Sequence, residues 1–510
     1  MTATVPGEHP RLGLWQTALA LGLACFALHL AGTWALPLLD RDEPRFAEAS
    51  REMLQRGDWV VPWFNNSPRY DKPPLVYWLQ MAGYRWLGES ELTARLPSVL
   101  AAALTAVAIL GFGSRMGNRS VGLWSALMFS TCLQTLVHAK LAVADMLMIC
   151  CFTMAAWCGW ELGRAEDASS CPGAPRHGWR LGFVISLALA FLAKGPVGWL
   201  PLLLPLLAPV WHRRPIAWSR LRLGYTVPLV LGLVALWGVP ALLRTEGEFW
   251  DVGMGRHVFQ RSIGVLEGHG ARGLFSYLAT TPLYFVTVFA SFFPWSLWLV
   301  WLGRQLWHRR QALTFDEKYL LAGVGLIFGV FSLVRTKLPH YTLPAFPLLA
   351  LLLVGAWERT GGAPMPGARR WVVGMGGFGL AVSLLVFPLV APLFPSPGLA
   401  RECAPWLRPH LKYASAGFEE PSLCWYFRSR VRGFLQPLPF ADLPVFMAKP
   451  GLRLCILPTE QVASVFPRLP DEWKRVQICG FSPAHGRIEA LTALVKAGDA
   501  LSEVPQTAPP

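Results

Sequence analysis

Residues 93–113 read TARLPSVLAAALTAVAILGFG, a stretch with a single charge, Arg95. About 20 such residues in a helix match the hydrocarbon thickness of a bilayer. Comparable runs occupy 14–39, 121–138, 146–162, 223–243, 276–302, 318–334, 339–356 and 371–393. The run 181–210 is interrupted by Lys194-Gly195-Pro196 and reads as two short helices meeting at a membrane face. Eleven spans result. The first lacks the cleavage site and short apolar core of a signal peptide, so it is expected to be retained.

Composition carries the same message. Charged residues make up 15% of the 510, against about 25% in an ordinary soluble domain. Apolar residues reach 53%, with 24 Trp and 29 Phe, and the mean hydropathy is +0.38. A soluble chain this apolar would lack the polar groups to cover its surface. Disorder, a collagen-like fibre and a small disulfide scaffold are excluded as well.

The net charge of +15 is distributed in clusters between the apolar runs. Arg115/Arg119, Arg164/Arg176/Arg180, Arg213/Arg214/Arg220/Arg222, Arg304/Arg309/Arg310 and Arg359/Arg369/Arg370 all fall in turns on one side. The positive-inside rule makes that side cytoplasmic, together with the N-terminus. With no zinc-knuckle spacing or long basic tail, no nucleic-acid partner is expected. The opposite side receives the loops 40–92 and 244–275 and everything after residue 394. Three regions follow: a membrane domain over 1–396, an outer-face α/β domain over 397–499, and a polar, disordered tail over 500–510.

Within the outer domain, Leu411–Ser415, Cys424–Phe427 and Arg453–Leu457 read as strands. Val462–Phe466 and Arg487–Lys496 read as helices, the latter on the helical spacing of its apolar residues. Cys403, Cys424, Cys455 and Cys479 are an even set on an oxidising side and predict at least one disulfide, of unspecified pairing.

Chemistry-bearing residues gather in the outer loops. In Asp40-Arg41-Asp42-Glu43-Pro44-Arg45-Phe46, Pro44 suits a first helical turn and Asp42 suits a cap. Phe46, Ala49, Met53 and Leu54 then form an apolar stripe, with Glu48, Arg51 and Glu52 facing away. That pattern predicts an amphipathic helix lying on the membrane surface. Read alone, Asp42 is a helix cap.

Arg69-Tyr70-Asp71-Lys72-Pro73-Pro74 sets a cation beside a carboxylate on a stiff backbone. Such a loop can hold a phosphate or a metal, and can equally be a plain interfacial loop. Asp145 stands at the mouth of an apolar helix, where ionisable groups are costly and tend to be functional. Lys194, His257 with Arg261, and Lys337 with Tyr341 complete the set, although an isolated loop His is usually only solvated. All fall on the outer side. Cations Arg45, Lys72, Lys194, Arg261 and Lys337, carboxylates Asp42, Asp71 and Asp145, and phenols Tyr70 and Tyr341 are expected to line one cavity. Cations suit a phosphorylated lipid head group, and carboxylates suit a base or a metal ligand.

The run DRDEPRFAEASREMLQRGDWVVP, followed by YDKPPLVYW, resembles the polyprenyl-phosphate-sugar-dependent glycosyltransferases of the GT-C class. Among these it is most similar to the bacterial aminoarabinose transferases of lipid A modification, cousins of the protein O-mannosyltransferases. The likeness continues at Asp145, at Ala193-Lys194-Gly195-Pro196 and at Lys337-Leu338-Pro339-His340-Tyr341-Thr342-Leu343-Pro344. It implies a multi-spanning helical GT-C domain in the inner membrane with a small periplasmic α/β domain. It makes Asp42 the principal acidic position, joined by Asp145, and sets Arg45 and Lys72 at the donor phosphate. Tyr341 would line the same cavity. Asp71 occupies the place of a metal-site Glu, with His257 as partner, which implies a divalent metal such as zinc.

The expected activity is transfer of a sugar from an undecaprenyl-phosphate-type carrier to lipid A or another envelope acceptor. Hexosyl transfer to protein is the alternative within the class. A transporter or flippase would instead show broken helices with midplane charges in matching halves, and no such internal repeat is seen.

Overall fold

The computed structural model describes residues 13–164, 177–253, 255, 274–361, 365 and 367–497. Among them, five helices are long and apolar enough to cross a membrane: Glu91–Met116, Asp145–Gly163, Trp218–Arg244, Pro339–Glu358 and Ala368–Leu393. Shorter apolar helices, Leu14–Leu30 and Pro196–Trp211, accompany them. The run 276–302 is not one straight span. It is two helices, Phe275–Ser291 and Trp295–His308, bent by 116°, because Pro294 has no N–H to continue the ladder.

Small residues bring the helices together. A Cβ added to Gly113 would lie 2.6 Å from the Cα of Gly122, so the helices Glu91–Met116 and Arg119–Thr131 cross with their backbones nearly touching. The interruption at Lys194-Gly195-Pro196 forms as expected. His177–Lys194 stops at Gly195, whose φ of +77° suits glycine alone, and the chain turns into the tight helix Pro196–Leu203.

The helix Asp42–Arg56 departs from expectation in an informative way. Its apolar stripe does enter the main core through Phe46, Ala49 and Met53. Its polar face is not in water: Glu48, Arg51 and Glu52 are 1% exposed or less. The C-terminal domain covers them. Arg428 pairs with Glu48 and, at 3.3 Å, with Glu52. Arg51 reaches Glu48 and Glu89 at 2.6 Å each and the Trp425 carbonyl at 2.9 Å, with its guanidinium 3.8 Å from the Trp425 ring centroid. The helix is thus a two-sided spacer between membrane domain and outer domain. Asp42 is its first residue, and the N-cap position expected for it is held by Arg41.

The outer domain is a five-stranded sheet in the order 436–437, 412–415, 453–458, 487–496, 474–482. The first three strands run parallel and the last two join antiparallel. Two expectations are corrected. Cys424–Phe427 lies in the helix Pro421–Arg428, which starts on a proline. Arg487–Lys496 is a strand paired on both sides, and Leu491, Ala493 and Val495 fill one core cluster while Leu494 fills another. A strand covered on both faces loses the simple alternation that distinguishes it from a helix.

The expected disulfide is absent, since all four cysteines of this domain are free. Cys403 and Cys424 lie in one core cluster and Cys455 in the cluster on the other face of the sheet, while Cys479 is exposed. The tail 500–510 lies outside the described residues.

Candidate functional site

Two helix ends create the charged heart of the site. Asp145 opens the helix Asp145–Gly163 and Lys194 closes the helix His177–Lys194. Each charge complements the dipole of its own helix, acid at the N-terminus and cation at the C-terminus. The two helices pack against each other along their length, which brings the charges into an ion pair. The turn Pro339–Ala345 then delivers His340, whose Nε2 is 3.9 Å from Asp145 Oδ1. Tyr341 follows, its ring centroid 5.6 Å from Lys194 Nζ. His138 meets His340 in a tilted ring contact, 5.0 Å between centroids.

Asp145, Lys194, His340 and Tyr341 face a cavity of about 810 Å³, which is also lined by Tyr70, Asp71 and Lys72 of the first loop. Asp71 is paired with Arg69 at 3.2 Å, and Arg69 Nε donates to the Tyr77 hydroxyl. The Tyr70 hydroxyl donates to Glu248 at 3.0 Å, and its ring meets Phe249 edge-on. Most of the remaining wall is apolar, from Leu231, Val234, Val239 and Leu242 to Val330 and Val334. A cavity of this size, with a mostly apolar wall and a few charged groups, suits an amphiphile with an anionic head.

Of the residues singled out in the sequence, Tyr70, Asp71, Lys72, Asp145, Lys194 and Tyr341 share this cavity. Asp42 and Arg45 do not line it. Asp42 is nevertheless close enough to Arg69 and Tyr77 for its charge to act on both.

Lys337 is also not on the cavity wall. Its ammonium donates to the carbonyls of Ser332 and Val334 at 2.6 and 2.8 Å, closing the C-terminus of the helix Phe315–Leu333. Lys140 does the same for Leu14–Leu30, through the carbonyls of Leu28, His29 and Ala31. Arg261 and His257 lie outside the described residues. His340, inside the motif Lys337–Pro344, joins the site although no sequence signal of its own marks it.

The expected metal pair meets a poor fit at Asp71. Asp71 faces the guanidinium of Arg69, and a cation at that distance competes with a metal for the same carboxylate. Among the described residues, no group of three or more His, Cys, Asp or Glu is arranged to hold a metal ion.

Residues 71–237 match the family described as dolichyl-phosphate-mannose-protein mannosyltransferase. The undecaprenyl phosphate-α-4-amino-4-deoxy-L-arabinose arabinosyl transferase of Erwinia tasmaniensis is 30% identical over 379 residues, covering 72% of this chain and 65% of that protein. A second such transferase, from Sodalis glossinidius, is 31% identical, with 67% and 60% covered. The chain thus spans just under two thirds of the length of these relatives. The crystal structure of ArnT from Cupriavidus metallidurans bound to undecaprenyl phosphate superimposes with a TM-score of 0.71 at 20% identity, covering 93% of this chain and 97% of that one. The chain has the GT-C fold. Several apolar helices and a small C-terminal sheet are its two parts here. The GT-C segment matched by the family contains four of the cavity's charged residues, Asp71, Lys72, Asp145 and Lys194.

Proposed function

We propose that this protein is a membrane glycosyltransferase. It takes a sugar, of aminoarabinose type, from an undecaprenyl-phosphate carrier and passes it to lipid A or another envelope acceptor at the periplasmic face. The observation that carries the reading is the cavity itself, whose mostly apolar wall carries the cations Lys72 and Lys194. Sequence similarity to the aminoarabinose transferases supports the choice of donor. The topology that accompanies it has eleven crossings, a cytoplasmic N-terminus and a periplasmic outer domain, as the arginine clusters suggest.

In this reading the prenyl chain lies along the helix Leu223–Arg244 and the phosphate meets Lys72 and Lys194. As the bond between sugar and phosphate oxygen breaks, negative charge grows on the phosphate, and fixed cations stabilise it. Asp145 holds Lys194 in position and offsets its charge in the empty cavity. Asp42 accepts the proton of the acceptor hydroxyl, or orients the acceptor phosphate. Tyr341 completes the head-group contacts, whereas Arg45, expected at the donor phosphate, does not line the cavity. A zinc or other divalent ion shared by Asp71 and His257 enters no step.

Hexosyl transfer to protein is the second reading, favoured by the description of the family matching 71–237. Lipid mass spectrometry of cells with and without the protein tests both. Loss of an undecaprenyl-phosphate-linked sugar together with appearance of a modified lipid supports the first. A glycosylated protein supports the second, and no change in any lipid-linked sugar refutes both.

A further inference from the structure

The outer domain leaves one apolar patch uncovered, at the tip of its edge hairpin. The strands Lys474–Ser482 and Arg487–Lys496 pair in a register that sets Cys479 opposite Ala490 and Phe481 opposite Ile488. Alternation places all four on one face of the sheet. All four are exposed, Phe481 by 41% and Ile488 by 76%. Further along that face, Cys455 and Leu494 are roofed by the helices Leu443–Ala448 and Val462–Val465. The roof stops short of the tip.

The reverse face of the tip is fastened to the end of a membrane helix. A Cβ on Gly480 would stand 2.7 Å from the Leu393 carbonyl oxygen and 2.8 Å from the Pro395 nitrogen. Leu393 closes the apolar stretch Ala368–Leu393, only 17% of which is buried in the protein. Its Leu385, Leu389 and Leu393 are 55–76% exposed. The bare patch therefore stands one sheet thickness from the end of a span with a largely exposed apolar surface. The one carboxylate within 479–490, Glu489, is 8% exposed and held by His485 and Arg487 at 2.9 Å each. No free anion at the tip opposes an anionic head-group layer.

We infer that the hairpin tip, through Phe481 and Ile488, is seated in the interfacial layer of the bilayer beside the last span. Apolar surface grouped in this way marks a site of association, and interfacial seating buries it without a second protein. The inference is independent of the sugar-transfer reading.

Photo-crosslinking of the full-length protein in lipid nanodiscs tests it. Benzoylphenylalanine replaces Phe481 or Ile488 in turn, with Leu389 as the lipid-facing control. Lys474, about 23 Å further along the same strand, is the distant control. Lipid adducts at 481 and 488 in yields comparable to 389, and none at 474, are expected. Absence of lipid adducts at 481 and 488 while 389 is labelled overturns the inference. So does equal labelling at 474, or a cross-linked dimer in place of lipid adducts.

Discussion

Arg95 grips both carboxylate oxygens of Glu43, Nε to Oε1 and Nη2 to Oε2, each at 2.8 Å. Neither residue is more than 2% exposed. The same carboxylate accepts the backbone N–H groups of Leu39 and Ala142, while Arg95 also serves the carbonyls of Thr33, Leu36 and Pro37. One pair thus ties the exit of the first helix, the start of Asp42–Arg56 and the approach to Asp145. Removing one member of such a buried pair leaves the other uncompensated, at a cost of about 3–5 kcal/mol. Glu43→Ala and Arg95→Ala are expected to lose that much in unfolding measured in detergent, and Glu43→Gln less, because its amide oxygen still accepts. Near-wild-type stability of Arg95→Ala would show that water has entered to replace it.

Asp42 is exposed and stands one position past the N-cap Arg41, so its replacement separates chemistry from folding. Asp42→Asn is expected to fold with an unchanged melting midpoint and to lower kcat/KM by about 10²-fold or more, the range of general-base catalysis. Turnover close to wild type would leave Asp42 with an electrostatic influence on Arg69 and nothing more.

Lys72→Ala is expected to weaken binding of undecaprenyl phosphate about 10- to 100-fold, as a charged hydrogen bond of about 1.5–3 kcal/mol requires. Lys72→Arg retains part of the affinity if charge dominates and little if a compact ammonium is needed. Calorimetry with undecaprenyl phosphate reads both. Unchanged affinity in Lys72→Ala removes Lys72 from the phosphate site.

Asp40 and Glu420 meet between the first loop and the outer domain, where Asp40 Oδ1 accepts the Ser422 N–H at 2.9 Å. Burial, and then the charge of Asp40, push the Glu420 carboxyl up to about 8, and burial raises Asp40 as well. A raised carboxyl binds its proton more tightly in the folded protein. The stability it contributes is full below about 4.5 and is lost as pH rises through about 8. The melting midpoint is expected to fall across that window in the wild type and to fall less in Glu420→Gln. Equal slopes in the two proteins count against a shared proton.

Of the outer domain's cysteines, Cys479 is expected to alkylate in the native protein without reductant, and Cys403, Cys424 and Cys455 only after unfolding. Burial pushes the thiols of Cys403 and Cys455 up to about 12, which leaves almost no reactive thiolate. Peptide mapping that finds any disulfide-linked pair among the four contradicts the structure.

The sequence alone reveals the membrane domain because apolar runs and arginine clusters are local signals. It also singles out Asp145 and Lys194 one at a time. Their pairing is not legible, since 49 positions separate them and only the packing of two helices joins them. Glu48 and Arg428, 380 positions apart, are less legible still. Glu48 reads as a solvent-facing charge because nothing nearby shows that a later domain will cover it. Arg487–Lys496 misleads for a different reason: with both of its faces covered near its end, Ala493, Leu494 and Val495 are apolar in succession and blur the alternation.

The cover over Asp42–Arg56 has a consequence for domain exchange. Grafting the outer domain of a relative onto this membrane domain would set foreign side chains against Glu48, Arg51 and Glu52. Unless the graft brings a cation at the place of Arg428 and a ring at that of Trp425, Glu48 and Glu52 each lose a buried counterion and Arg51 loses the ring beside its guanidinium. A working chimaera has to carry both halves of that interface, so the two domains form one unit of inheritance even though each has its own core.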